Sequence, residues 1–249
     1  MGNVNKRMDD VIKFIKSIVI FIFGEDVYFY FRWLFKYSFK YIPIWCYQKV
    51  DGWLPEIEAI ELYELGKSLP YNRPVIVEIG SWMGRSAVVF AKSIKDKFSG
   101  CVYCIDPFDG SGDDISVLSF RNILNNLDMT LKEKFINNIN SCKVGKYIRI
   151  LEGYSYNVVR DWHEDIDLLF IDGDHSYEGV KKDYLLWSKF VKVGGYIVFH
   201  DVFLESNIIE DKKHPSGPTL VVKEYILPSD KWACKRSVGS LFIAKKVKE

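Results

Sequence analysis

The sequence predicts an α/β fold: a doubly wound, mostly parallel seven-stranded sheet with an antiparallel C-terminal hairpin and an N-terminal helical extension. Three observations predict it. From residue 75 onward, short runs rich in Val, Ile, Leu and Phe alternate with longer helical patterns, the signature of parallel strands covered on both faces. The first strand breaks at Gly80 and the chain resumes as a helix near Arg85, so backbone N–H groups and a helix N-terminus stand beside each other. An acidic or imidazole group follows each of the first five strands, at the edge where open parallel sheets bind ligands.

Residues 1–50 read as an aromatic-rich helical extension and residues 51–249 as one domain of ordinary size. The apolar run within 11–23 carries Lys13 and Lys16 and is too short to span a bilayer. It lacks the small-residue cleavage site of a secretory signal. Residues 28–41 place Arg32, Lys36 and Lys40 at helical spacing among Phe29, Trp33, Phe35 and Tyr37. Two readings stay open for 11–41. One is a helix lying at an anionic membrane surface; the other is a packed helix, a homodimer contact or a substrate lid.

A connecting helix is expected over 51–73, with Pro55 at its start and Pro70 and Pro74 beyond its end. Strands are expected at 75–79, 101–105, 147–151, 167–171 and 195–199, with helices over 85–92, 120–127 and 180–191. Two further strands, 232–236 and 240–244, flank Ser237-Val238-Gly239 and read as the hairpin.

The formal net charge is +1, which gives no global field to draw nucleic acid. Five cysteines form an odd, scattered set, and the Cys101/Cys104 pair sits in a strand, where alternation sends the two thiols to opposite faces. No framework of disulfides or zinc ligands emerges, which points to a reducing, cytoplasmic setting.

The chemistry is expected at the strand ends: Glu78-Ile79-Gly80, Asp106-Pro107, Glu152-Gly153-Tyr154, Asp172-Gly173-Asp174-His175 and His200-Asp201. Asp106 follows Gly84 by about twenty residues, the distance at which a second-strand carboxylate takes a ribose diol. The glycine spacing Gly80-x-x-x-Gly84 differs from the dinucleotide fingerprint, and Glu78 would repel a pyrophosphate. Asp172, His175, His200 and Asp201 come from neighbouring strand ends, a mix that suits a divalent cation or an imidazole base. An ordinary imidazole, with its pKa of about 6.5, accepts a proton at neutral pH.

Residues 77–86 resemble the first motif of class I S-adenosylmethionine-dependent methyltransferases, and Ile105-Asp106-Pro107-Phe108 resembles their second acidic motif. The stretch 167–178, with Gly194-Gly195 and His200-Asp201, is similar to the subgroup carrying a D-G-x-H motif, many of them O-methyltransferases of sugars or natural products. The resemblance implies a Rossmann-like fold and S-adenosylmethionine as cofactor. Its binding set becomes Glu78, Gly80, Ser81, Gly84, Ser86, Asp106, Pro107, Gly153, Tyr154 and Asp172. It implies His175 as base with Asp172 in the catalytic pair, and a small-molecule or glycan acceptor. A Mg2+ or other divalent-cation site would use Asp172, His200 and Asp201, although His200 stands where relatives carry a carboxylate. A reductase using NAD(P) and a non-catalytic membrane-associated scaffold are the alternatives.

Overall fold

The computed structural model describes residues 17, 20, 21, 24–204 and 217–249. The chain divides between Lys49 and Val50 into two units.

In the first unit, helix α1 spans Glu25–Lys36 and a 3-10 segment spans Phe39–Lys49. The single helix expected over 28–41 is broken at Tyr37, whose backbone is extended (φ −124, ψ 153). Trp33 Nε1 donates to Tyr41 O at 2.7 Å, and the Trp33 ring lies 4.4 Å from Tyr37 and 5.7 Å from Tyr47. The chain therefore turns back around an indole. Most of the expected apolar run at 11–23 lies outside the described residues. Among the described residues, no helix is long and apolar enough to cross a membrane.

The second unit opens with helix α2, Glu56–Ser68, started by Pro55 in an extended conformation. Seven strands follow: β1 Val75–Ile79, β2 Cys101–Asp106, β3 Ile148–Glu152, β4 Ile166–Ile171, β5 Val191–Phe199, β6 Trp232–Val238 and β7 Leu241–Lys246. Their order is β3-β2-β1-β4-β5-β7-β6. The first five pair in parallel, and β7 joins β5 and β6 antiparallel. This is the predicted seven-stranded, Rossmann-like sheet with its C-terminal hairpin. Every residue of β1 and β4 is buried, as expected where helices cover both faces.

Helix α3, Arg85–Ile94, follows β1, and α4, Asp114–Leu124, and α5, Leu131–Ser141, separate β2 from β3. A short helix α6, Ser155–Val158, follows β3. The helix expected over 180–191 is α7, Tyr177–Trp187, and it stops earlier because Val191 already belongs to β5. A register shift between the Ile166 and Leu168 pairs admits the Gly194-Gly195 step, with Gly194 at φ +91. That left-handed backbone is open to glycine at little cost.

The lower edge of the sheet is tied by Asp167. Its carboxylate accepts from Val75 N at 2.8 Å and meets Lys192 Nζ at 2.9 Å. At the upper edge the strand order reverses between β1 and β4, which makes that crevice the switch point where such sheets take ligands.

Candidate functional site

Backbone bonds continue past the strand ends and fix them side by side. Gly80 N donates to Ile105 O at 2.9 Å, Asp172 N to Ile79 O at 2.9 Å, Gly153 N to Asp106 O at 3.0 Å, and His200 N to Ile171 O at 3.1 Å. A Cβ on Gly80 would stand 2.1 Å from the Asp172 carbonyl oxygen, and its φ is +85. Only glycine lets β1 and β4 close to that separation.

Above these ends lies a cavity of about 840 Å³, within the range of small-ligand sites, about 300–1,000 Å³. Of the residues expected from sequence, Gly80, Ser81, Ser86, Asp106, Pro107, Gly153, Tyr154, Asp172, His175, His200 and Asp201 line it. Glu78 and Gly84 do not. Gly84 starts α3 at φ +88, with its α-carbon face against the Phe135 ring. Glu152 points outward to Lys132 at 2.6 Å, and His163 is exposed.

Glu78 is fully buried beneath the glycine turn, and its Oε2 accepts from the Ser81 hydroxyl at 2.6 Å. Burial raises this carboxyl to about 7 against the pull of Ser81, Ser86 and Cys104. The group thus shapes the turn from below and reaches the cavity through Ser81. A carboxyl whose folded pKa lies above its unfolded value favours the fold while protonated, so its support is lost as pH rises from about 4.5 to 7. Glu78→Gln keeps the shape and removes the charge. Denaturant titrations at acid and alkaline pH should show the variant gaining on the wild type as pH rises, by a few kcal/mol at most. A constant difference between the two proteins across that range would refute the assignment.

Asp106 knits the β1 turn to β2. Its Oδ2 accepts from Trp82 N at 2.8 Å and its Oδ1 from Phe108 N at 2.7 Å. Asp106 also lines the cavity. Trp82 sits at φ +47, a strained value for an indole-bearing residue. It stacks on Phe120 at 4.4 Å, and Trp53 lies 5.8 Å from Phe120, so three rings wall one side. Tyr154 donates its hydroxyl to Asp109 at 2.8 Å and stacks on Tyr156.

At the β4 and β5 ends, two imidazoles stand among four carboxylates. His175 Nε2 lies 3.3 Å from Asp172 Oδ1 and 3.6 Å from Asp201 Oδ2, while Nδ1 lies 3.5 Å from Asp113 Oδ2. His200 Nδ1 lies 3.0 Å from Asp172 Oδ1 and 3.6 Å from Asp201 Oδ2, and Nε2 lies 3.0 Å from Glu58 Oε2. Burial works against charge on His175, yet Asp113, Asp172 and Asp201 raise it to about 10. His200, against the same burial, is raised well above its ordinary value, chiefly by Asp172. Asp172 falls to about 2, since the charge of His200 and the bonds from both imidazoles overcome its burial.

The metal question follows from these contacts. Among the described residues, Asp172, His175 and Asp201 can bring one ligand atom each within 4.8 Å of one another. His200 does not fit the ligand role that the resemblance implies. Both its nitrogens face carboxylates and its charged form is favoured, which leaves no lone pair for a metal.

Three side chains in this region were not singled out from the sequence. Glu58 and Asp183 each occupy an apolar helical stripe, with Leu62 and Leu65 for the first and Val180 and Trp187 for the second. A carboxylate on such a stripe is the signal that was available. Asp183 lines the cavity, bonds the Ser155 hydroxyl, and is raised by burial to about 7. Asp113, inside a polar loop, gave no such signal.

Residues 77–202 match the family described as "Methyltransferase domain". A 62-residue stretch is 42% identical to the uncharacterized protein R132 of Acanthamoeba polyphaga mimivirus, covering 23% of this chain and 28% of that protein. Among solved structures, the O-methyltransferase NovP is similar with a TM-score of 0.57 at 16% identity, over 76% of this chain and 79% of NovP. The O-methyltransferase from Bacillus cereus, in complex with SAH, gives 0.57 at 14% identity, over 93% and 97%. The O-methyltransferase TomG from Streptomyces achromogenes, in complex with SAM, gives 0.56 at 14% identity, over 79% and 82%. At these identities the likeness is one of fold.

Proposed function

This chain belongs to the methyltransferase-domain family, and from that premise we propose that it is an S-adenosylmethionine-dependent O-methyltransferase of a small-molecule or sugar hydroxyl. One observation carries the reading. A glycine turn and an Asp172–His175 pair face the same cavity at the switch point. The neighbours NovP and TomG are O-methyltransferases by name, which supports the acceptor atom.

The cavity fits the cofactor in size and in donor set. Its carboxylates, among them Asp106, Asp172, Asp174 and Asp201, suit a ligand with cationic groups. When bound, S-adenosylmethionine supplies an electrophilic methyl group on a positively charged sulfur. Gly80, Ser81 and Ser86 would hold its amino-acid end, Asp106 and Pro107 its ribose, and Gly153 and Tyr154 its base. Trp53, Trp82 and Phe120 offer the acceptor an apolar, aromatic wall.

The protein's remaining tasks are alignment and removal of the hydroxyl proton. Asp172, held near 2, is too weak a base to take that proton at neutral pH. His175 is the stronger acceptor, and Asp113, Asp172 and Asp201 stabilise the imidazolium that forms. No step is assigned to a cation.

Calorimetric titration with S-adenosylhomocysteine tests the reading. Wild type should bind, and Asp106→Ala should bind about tenfold more weakly or worse, the loss of a charged hydrogen-bond acceptor. A wild-type protein that gives no heat and no thermal stabilisation with this ligand would remove the proposal.

A further inference from the structure

One side of the cavity is built from aromatic rings. Trp82 stacks on Phe120 with centroids 4.4 Å and planes 29° apart, while Trp53 lies 5.8 Å from Phe120 and 6.2 Å from Trp82, tilted by 44° and 41°. The three come from separate segments: Trp53 precedes α2, Trp82 stands in the turn after β1 and Phe120 on α4. All three line the cavity, and Trp53 is nevertheless 57% exposed. An indole left that open on a cavity wall has ring surface to give a ligand. Trp82 is held at φ +47, a conformation that costs energy, and its indole N–H is buried without an acceptor among the described residues. That ring serves by its face and not by a hydrogen bond.

Helix α4 joins this wall to the base. Val117 N donates to Asp113 O at 3.0 Å, so the helical path begins at Asp113, whose carboxylate meets His175 Nδ1 at 3.5 Å. Phe120 follows two turns later on the same face, about 10 Å along the axis. An acceptor that reaches both the base and the wall must be longer than a single six-membered ring. The polar lining is poor in groups that read a sugar. A sugar hydroxyl both donates and accepts, as amide side chains do, and among the described residues no Asn, Gln or Thr lines the cavity. The hydroxyls of Ser81 and Ser155 are engaged by Glu78 and Asp183, and that of Ser176 accepts from Gly179 N at 3.1 Å.

Resting on the methyltransferase reading above, we propose that the acceptor is a phenol of fused or linked rings, stacked on Trp53 and Phe120 with its hydroxyl at His175. In the transfer the phenolic oxygen bonds to the methyl carbon as the carbon–sulfur bond of the donor breaks, leaving S-adenosylhomocysteine. The phenolic proton passes to the neutral imidazole of His175. An arene gains from this wall both by burying its faces and by contact between rings. A saturated ring of the same size gains only the burial, and a sugar must in addition give up water at hydroxyls that find few partners here.

The test is calorimetric titration of the full chain, saturated with S-adenosylhomocysteine, with 2-naphthol, its saturated counterpart decahydro-2-naphthol, and methyl glucoside. The naphthol should bind about tenfold more tightly than either saturated compound, and with S-adenosylmethionine as donor it should yield its methyl ether. Trp53→Leu should weaken the naphthol about fivefold and Trp53→Phe distinctly less, while S-adenosylhomocysteine affinity stays unchanged in both. Equal or tighter binding of a saturated compound overturns the proposal. So does a protein that holds S-adenosylhomocysteine but neither binds nor methylates the naphthol; the methyltransferase reading survives both results. A Trp53→Leu variant that loses S-adenosylhomocysteine as much as naphthol also overturns it, because the wall would then cover the cofactor. A wild type that binds no S-adenosylhomocysteine removes both readings together.

Discussion

Replacing His175 with alanine should lower turnover by about 10²–10⁴-fold, the usual contribution of a positioned base, while leaving S-adenosylhomocysteine affinity unchanged. The split follows from where the imidazole sits. Its nitrogens face Asp113, Asp172 and Asp201, and none of the backbone contacts that fix the glycine turn passes through it. The same carboxylates set a pH dependence. They raise His175 to about 10, so near neutrality most molecules carry the proton already and only the small neutral fraction can accept one. Turnover at saturating substrate should therefore climb with pH toward about 10, and that climb should vanish in His175→Ala. A wild-type profile that is flat between neutral and alkaline pH would sink the assignment of His175 as base. A collapse of cofactor affinity in the variant would make it structural instead.

Much of this site was legible because strand ends are legible. A β-branched run that stops at a glycine or an acid marks both a strand and the edge on which its ligand-facing residue stands, and β1 and β4 show this most plainly. Gly80 was readable for the same reason, since the turn demands a residue without a Cβ. What the sequence hid were contacts made across the fold. Glu78 sits at a strand end, yet strand alternation turns it under the sheet's edge, and Ser81 faces the cavity in its place. Asp113 reaches His175 from a loop whose other acids look identical in sequence. The charge states were hidden most deeply. An imidazole expected near 6.5 is moved by carboxylates from three separate segments, and no local pattern reports their distance.

The buried Glu58–His200 pair supports the cluster from behind, and removing its acid should be the most destabilising single change at the site. Glu58 is 1% exposed and His200 4%. One carboxylate oxygen faces His200 Nε2 at 3.0 Å; the other accepts from Ser240 N at 2.6 Å and Ser240 Oγ at 3.0 Å. One carboxylate of α2 thus ties the β5 end to the start of β7. In Glu58→Ala the Ser240 N–H loses its acceptor and His200 becomes a buried cation facing carboxylates on one side only. Breaking such a pair from one side costs about 3–5 kcal/mol, whereas an exposed pair would cost less than about 1 kcal/mol. His200 has a folded pKa well above its ordinary value, so its part of that stability is complete below about 6.5 and fades only as pH passes the raised value. The gap between wild type and Glu58→Ala should accordingly persist through neutral pH in denaturant titrations. Glu58→Gln retains an acceptor for Ser240 and should lose distinctly less. Equal losses in the two variants would mean that the charge on Glu58 contributes nothing. A loss in Glu58→Ala below about 1 kcal/mol would place the pair among weak surface contacts, contrary to its burial.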